Sequence, residues 1–110
     1  MLKHFYSFIV DTETIHMEID SLEISDSEKT HLKALAESHI HHNVMDTILS
    51  ELSTEDKRLF LDHIESKHQE NIWKFLHARI EDVEEKIREA AHEIKKELHK
   101  DLREAKTSNN

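Results

Sequence analysis

Glycine, proline and cysteine are all absent from this 110-residue chain, and aromatic residues make up only 5 % of it. Average usage of glycine and proline is about 7 % and 5 %, and sheets and catalytic loops rely on them for tight turns and close backbone approach. Without them the chain has no Gly-rich phosphate cradle and no G-x-S-x-G nucleophile elbow. Without cysteine it has no disulfide, no thiolate zinc site and no thiol nucleophile. No apolar run approaches the roughly 18 residues of a membrane span. The opening MLKHFYSFIVDTET has one Lys, an interrupted apolar patch and no small-residue cleavage site, so it does not read as a signal peptide; the default setting is cytoplasmic. Basic residues are also scarce, 15 against 24 acidic ones for a formal charge of −9. That disfavours nucleic acid, whose phosphates need clustered Lys and Arg, and nothing points to a membrane partner.

What remains is a chain of good helix formers, 36 % hydrophobic, with eleven histidines. One domain of modest core is implied. Protonating all the histidines would more than cancel the negative charge, so net charge is unusually sensitive to pH between about 7 and 5.5.

The stretch from Ser25 to Leu52 organises the rest. Ser25 and Glu28 form an S-x-x-E capping box, in which the hydroxyl takes an orphan N–H and the carboxylate reaches back to the cap. Nothing local stops the helix before Ser53. Its apolar residues change faces: Leu32, Leu35, Ala36 and Ile40 centre on one direction, Val44, Met45, Ile48, Leu49 and Leu52 on roughly the opposite one at about 100° per residue. Such a helix must be covered from two sides.

Around it, Asp11 can cap a helix over residues 12–23 with an Ile15, Ile19, Leu22 stripe that Met17 widens. Ser53, followed three residues later by Asp56, starts a helix to about Lys67 with Leu59, Phe60, Leu61 and Ile64 inward. The segments ISDSEKTHL and LSTEDKRLF are two similar helix starts rather than a repeat. After a polar turn, Ile72, Trp73, Phe75, Leu76 and Ile80 crowd one side of a short helix. Residues 1–10 read as a short helix or an extended arm that anchors to the core or binds a partner.

The last helix runs from about Asp82 to Lys106. Val83, Ile87, Ala91, Ile94, Leu98 and Leu102 form its narrow stripe. Acidic residues at its start and basic ones at its end suit the helix dipole, and Asp82–Lys86 and Glu84–Arg88 are favourable pairs. At about 37 Å long it outruns its short neighbours. That predicts uncovered Ile94, Leu98 and Leu102 and antiparallel pairing with a second copy.

Two Glu-x-x-His pairs, Glu65/His68 and Glu89/His92, have the spacing of di-iron carboxylate bundles, but Glu89 and His92 point away from the apolar stripe. His39, His42 and Asp46, one turn apart along the central helix, could offer three ligands to Zn²⁺ or Ni²⁺. The competing reading places His39 partly buried on the Leu32/Ile40 side and His41 and His42 in solvent. A desolvated neutral His39 would then weaken the fold on acidification. No order of Ser, His and Asp suggests a nucleophile.

The ISDSEK start, the Leu/Ile/Val-rich helix after it, the LSTEDK second start and the acidic-to-basic last helix resemble a family of small acidic helical proteins of unknown function from candidate-phyla bacteria with reduced genomes. The likeness spans about Leu22 to Ala105. This chain is richer in histidine and lacks the proline that the family suggests near Ile80–Asp82. The resemblance implies no active site.

The sequence therefore predicts an all-α bundle of four to five helices with a long amphipathic C-terminal helix. Residues 1–10 are the arm, 11–106 one helical domain and 107–110 a frayed tail. The expected role is non-catalytic: an interaction or scaffold protein, without cofactor, that self-associates through the last helix, at Ile94, Leu98 and Leu102, or through the N-terminal arm, with Trp73 a further interaction residue. The alternative is a histidine-based metal-binding protein using His39, His42 and Asp46.

Overall fold

Ser25 Oγ accepts the Glu28 backbone N–H at 3.1 Å, and the Glu28 carboxylate receives the Ser25 hydroxyl, also at 3.1 Å. The helix that starts there is one of five in the computed structural model, which describes residues 4–66 and 68–108: α1 (Glu13–Asp20), α2 (Asp26–Ser50), α3 (Thr54–Ser66), α4 (Gln69–Arg79) and α5 (Val83–Ser108). Helix makes up 79 % of the structure, and no strand occurs among the described residues. The first three residues of the arm and the last two of the tail lie outside the described residues. Helix α5 runs on through Thr107 to Ser108.

Side-chain oxygens also serve the starts of α1 and α3. Asp11 Oδ1 accepts the Glu13 N–H at 2.9 Å, and Ser53 Oγ accepts the Asp56 N–H at 3.2 Å. Each satisfies one donor that the first helical turn leaves unpaired. The break before α5 needs neither glycine nor proline. Ile80 is extended, with φ −123° and ψ 120°, and Asp82 takes a left-handed φ of 52°, the conformation that Asp tolerates better than most residues.

Helices α2 and α5 form an antiparallel spine. Lys86 Nζ meets Glu51 Oε1 at 3.1 Å near one end, and Asn43 Nδ2 donates to the Ala90 carbonyl at 3.1 Å further along. The buried residues of α2 and its C-terminal flank fall every fourth position: Ala36, Ile40, Val44, Ile48 and Leu52. Each step of four turns the stripe by about 40°, so the expected change of face is a steady drift along one helix. At the Leu52 end the stripe meets Phe60 of α3, Ile72, Phe75 and Leu76 of α4, Val83, Ile87 and Ala91 of α5, and Phe5, Tyr6 and Val10 of the arm, in one core cluster. At the Ala36 end it meets Ile15 and Ile19 of α1 in a second cluster, joined by the half-buried Leu32, Leu98 and Leu102. The result measures 50 × 23 × 22 Å.

Several inward assignments change. Leu59, Leu61, Leu35 and Met17 are exposed, because the covered side at their level of the helix is taken by Phe60, Ala36 and the Ile15–Ile19 pair. The prediction of an uncovered α5 is overturned too. Helix α1 runs parallel to the C-terminal half of α5 and antiparallel to α2, fixed by Lys95 Nζ to the Asp11 carbonyl at 2.9 Å and by Lys33 Nζ to Asp20 at 2.8 Å. It packs Ile15 and Ile19 on Leu98 and Leu102, while Ile94 packs on the main cluster. No helix among the described residues is long and apolar enough to cross a membrane.

Candidate functional site

A cluster of aromatic and titratable side chains forms where residues 4–10 lie against α2. The arm is neither a full helix nor a strand. It folds into turns closed by Ser7 N–H to the His4 carbonyl at 3.0 Å and Ile9 and Val10 N–H to the Tyr6 carbonyl at 3.0 and 3.1 Å. These turns send Phe5, Tyr6 and Val10 into the core and leave Phe8 67 % exposed. The Tyr6 hydroxyl lies 2.6 Å from His41 Nδ1. The His4 ring stacks on His41 with centroids 4.3 Å apart and planes 21° off parallel, and on Tyr6 at 5.0 Å and 6°. Burial first, then the neighbouring His4 and His42 rings, hold His41 below the usual histidine range. Burial, and then the Glu37 carboxylate, push the Tyr6 phenol above its ordinary value.

A cleft of about 660 Å³ opens beside this stack, lined by Tyr6, His4, Asp11, Glu13, His16 and Glu37 among others. His16 of α1 faces Glu37 of α2, Nε2 to Oε1 3.1 Å. That nitrogen is buried and makes no aligned hydrogen bond.

The opposite flank of the arm is aromatic. Trp73 Nε1 donates to the Phe5 carbonyl at 3.1 Å. The rings of Phe5 and Phe8 meet the indole edge-on at 5.5 and 5.4 Å, and His77 lies 5.8 Å from it. Trp73, singled out in the sequence, is thus half-buried and partnered, and the exposed part of the group is Phe8.

The other nominated residues separate. His39, expected partly buried, is exposed: it lies one position before Ile40, about 100° round the helix from the covered stripe. His41, expected in solvent, is the one that the arm covers. His42 and Asp46 approach to 3.4 Å between Nε2 and Oδ2 on the outside of α2. Together with His39 they border a shallow groove shared with Ile94 and Glu97 of α5, but no group of three His, Asp or Glu among the described residues is placed to hold a metal ion. Glu89 and His92 are exposed, as their angle from the stripe predicts. Ile94, Leu98 and Leu102 are half-buried under α1 and α2.

Sequence reasoning missed His4, Tyr6 and His16 because their partners are 21 to 37 positions away; His4 and Tyr6 become neighbours of His41 only through the arm's docking. The signal that could have pointed there is the Tyr at position 6, since a buried phenol finds a polar partner and α2 offers histidines.

Comparison with family models, with curated proteins and with solved structures found no match for this chain.

Proposed function

We propose that this chain is a non-catalytic helical interaction or scaffold protein, in a cytoplasmic setting, that self-associates through the face where Phe8 stands on Trp73. One observation carries the reading: a phenylalanine 67 % exposed and set edge-on against a half-buried tryptophan, in a chain with only four Phe, one Tyr and one Trp. Aromatic anchors of this type dominate the energetics of protein contacts. The resemblance to small acidic helical proteins rests on the two capped helix starts and the charge order of α5, and it agrees with this role without adding a site.

Light scattering at micromolar concentration tests the reading, on the wild type and on Phe8→Glu. The expected result is a mass above the monomer for the wild type and a monomer for Phe8→Glu, with far-UV circular dichroism unchanged. A monomer in both overturns self-association.

A further inference from the structure

We propose that residues 4–10 are a proton-released arm: the stacked His4, Tyr6 and His41 rings latch it to α2 while both imidazoles are neutral, and charging them frees it while the five helices stay in place. The inference goes beyond the interaction reading and does not rest on it.

The geometry of the latch carries the argument. His41 Nδ1 is 2.6 Å from the Tyr6 hydroxyl. With the phenol as donor, this nitrogen of the neutral ring accepts and Nε2 carries the hydrogen. A proton taken up on Nδ1 removes the acceptor, and the phenol must turn round to accept in its place. The second contact is less adaptable. Two imidazoles with centres 4.3 Å apart and nearly parallel planes stack well when neutral and repel when both are cations, since like charges at that separation oppose each other in a half-buried site.

The groups around His41 do not offset the repulsion. The arm presents His4 and Tyr6. The ring's own helix presents His42, a further potential cation, and Glu37, which is engaged with His16 of α1 at 3.1 Å. From α5, Lys95 reaches the far end of the arm, at the Asp11 carbonyl. Burial and the two neighbouring histidines keep the His41 ring from protonating as readily as a free histidine. A basic group depressed in the docked state binds its proton better when undocked. Docking is therefore complete above the free value near 6.5 and weakens as pH falls through it.

The histidines that join helices stand against carboxylates rather than against a second imidazole: His16 faces Glu37 between α1 and α2, His77 faces Glu84 between α4 and α5, and His99 faces Glu18 between α5 and α1. The arm has no helix of its own, only turns, and short segments of this sort open locally well below the cost of global unfolding.

Amide hydrogen exchange by NMR between pH 7.5 and 5.5, corrected for the intrinsic rate, reads the arm directly at Ile9 and Val10. In the wild type their protection should fall several-fold while amides in the middle of α2 and α5 keep theirs. Trp73 fluorescence in a His77→Gln background, which removes quenching by the neighbouring imidazole, should change over the same range. His41→Gln, neutral at every pH, should hold the arm protected throughout. Arm protection that persists at pH 5.5 in the wild type would overturn the proposal. So would arm and helices losing protection together, or an unchanged transition in His41→Gln. If His41→Gln already loses the arm at pH 7.5, His4→Gln decides: a transition moved to lower pH supports the latch, and an unmoved one refutes it.

Discussion

Asn43 of α2 donates its side-chain amide to the backbone carbonyl of Ala90, in the interior of α5, at 3.1 Å. An interior helical carbonyl already serves the ladder, so this bond adds a cross-helix link at one fixed height. With buried residues every fourth position on α2, a slip of one turn would rebuild much the same apolar contact, and the Asn43 bond penalises it.

Asn43→Leu should therefore lower stability by about 0.5–1.5 kcal/mol, the usual net worth of such a bond. Urea denaturation followed by circular dichroism measures it. An unchanged midpoint would show that apolar packing alone sets the register.

Leu98 bridges the two core clusters. Leu98→Ala should cost about 2 kcal/mol, the low end for a leucine truncation because the side chain is only half-buried. The loss should not depend on protein concentration, since the residue packs within one chain. A loss that vanishes on dilution would place Leu98 in an interface between copies instead.

Asp82 holds a left-handed φ of 52° between α4 and α5. Asp82→Val should lower stability by about 1–2 kcal/mol, the cost of that conformation for a residue that tolerates it poorly. Asp82→Asn should be close to neutral, which separates backbone conformation from loss of negative charge at the start of α5. Thermal melts of the three proteins make the comparison.

The Tyr6 phenol is held above its ordinary value by burial and then by Glu37. Its proton binds more tightly docked than free, so its contribution is complete below the free value near 10 and is lost as pH rises above it. Arm amides should lose protection above about pH 10 in the wild type. Tyr6→Phe should lack this alkaline step, while lysine deprotonation still affects both proteins. An equal step in Tyr6→Phe would assign it to the lysines.

Much of the fold is legible along the chain because its causes are local. The oxygens of Asp11, Ser25 and Ser53 act on N–H groups two or three residues away, and the 3.6-residue period marks which side of α1, α4 and α5 is covered. Absence of glycine and proline leaves helix as the consistent backbone, and the face-changing pattern on α2 announces cover from two sides.

The tertiary structure alone decides which helix gives that cover. Helix α1 is short, and nothing in its own sequence says that it lies along the far half of α5 and hides Leu98 and Leu102. The histidines divide for the same reason. His39, His41 and His42 are equivalent in sequence, all on one helix within four residues. Only the docking of residues 4–10 half-buries His41 and leaves the other two exposed. Local rules place a side chain on a helix; burial and charge environment come from whatever distant segment packs there, and in this protein that segment is the arm.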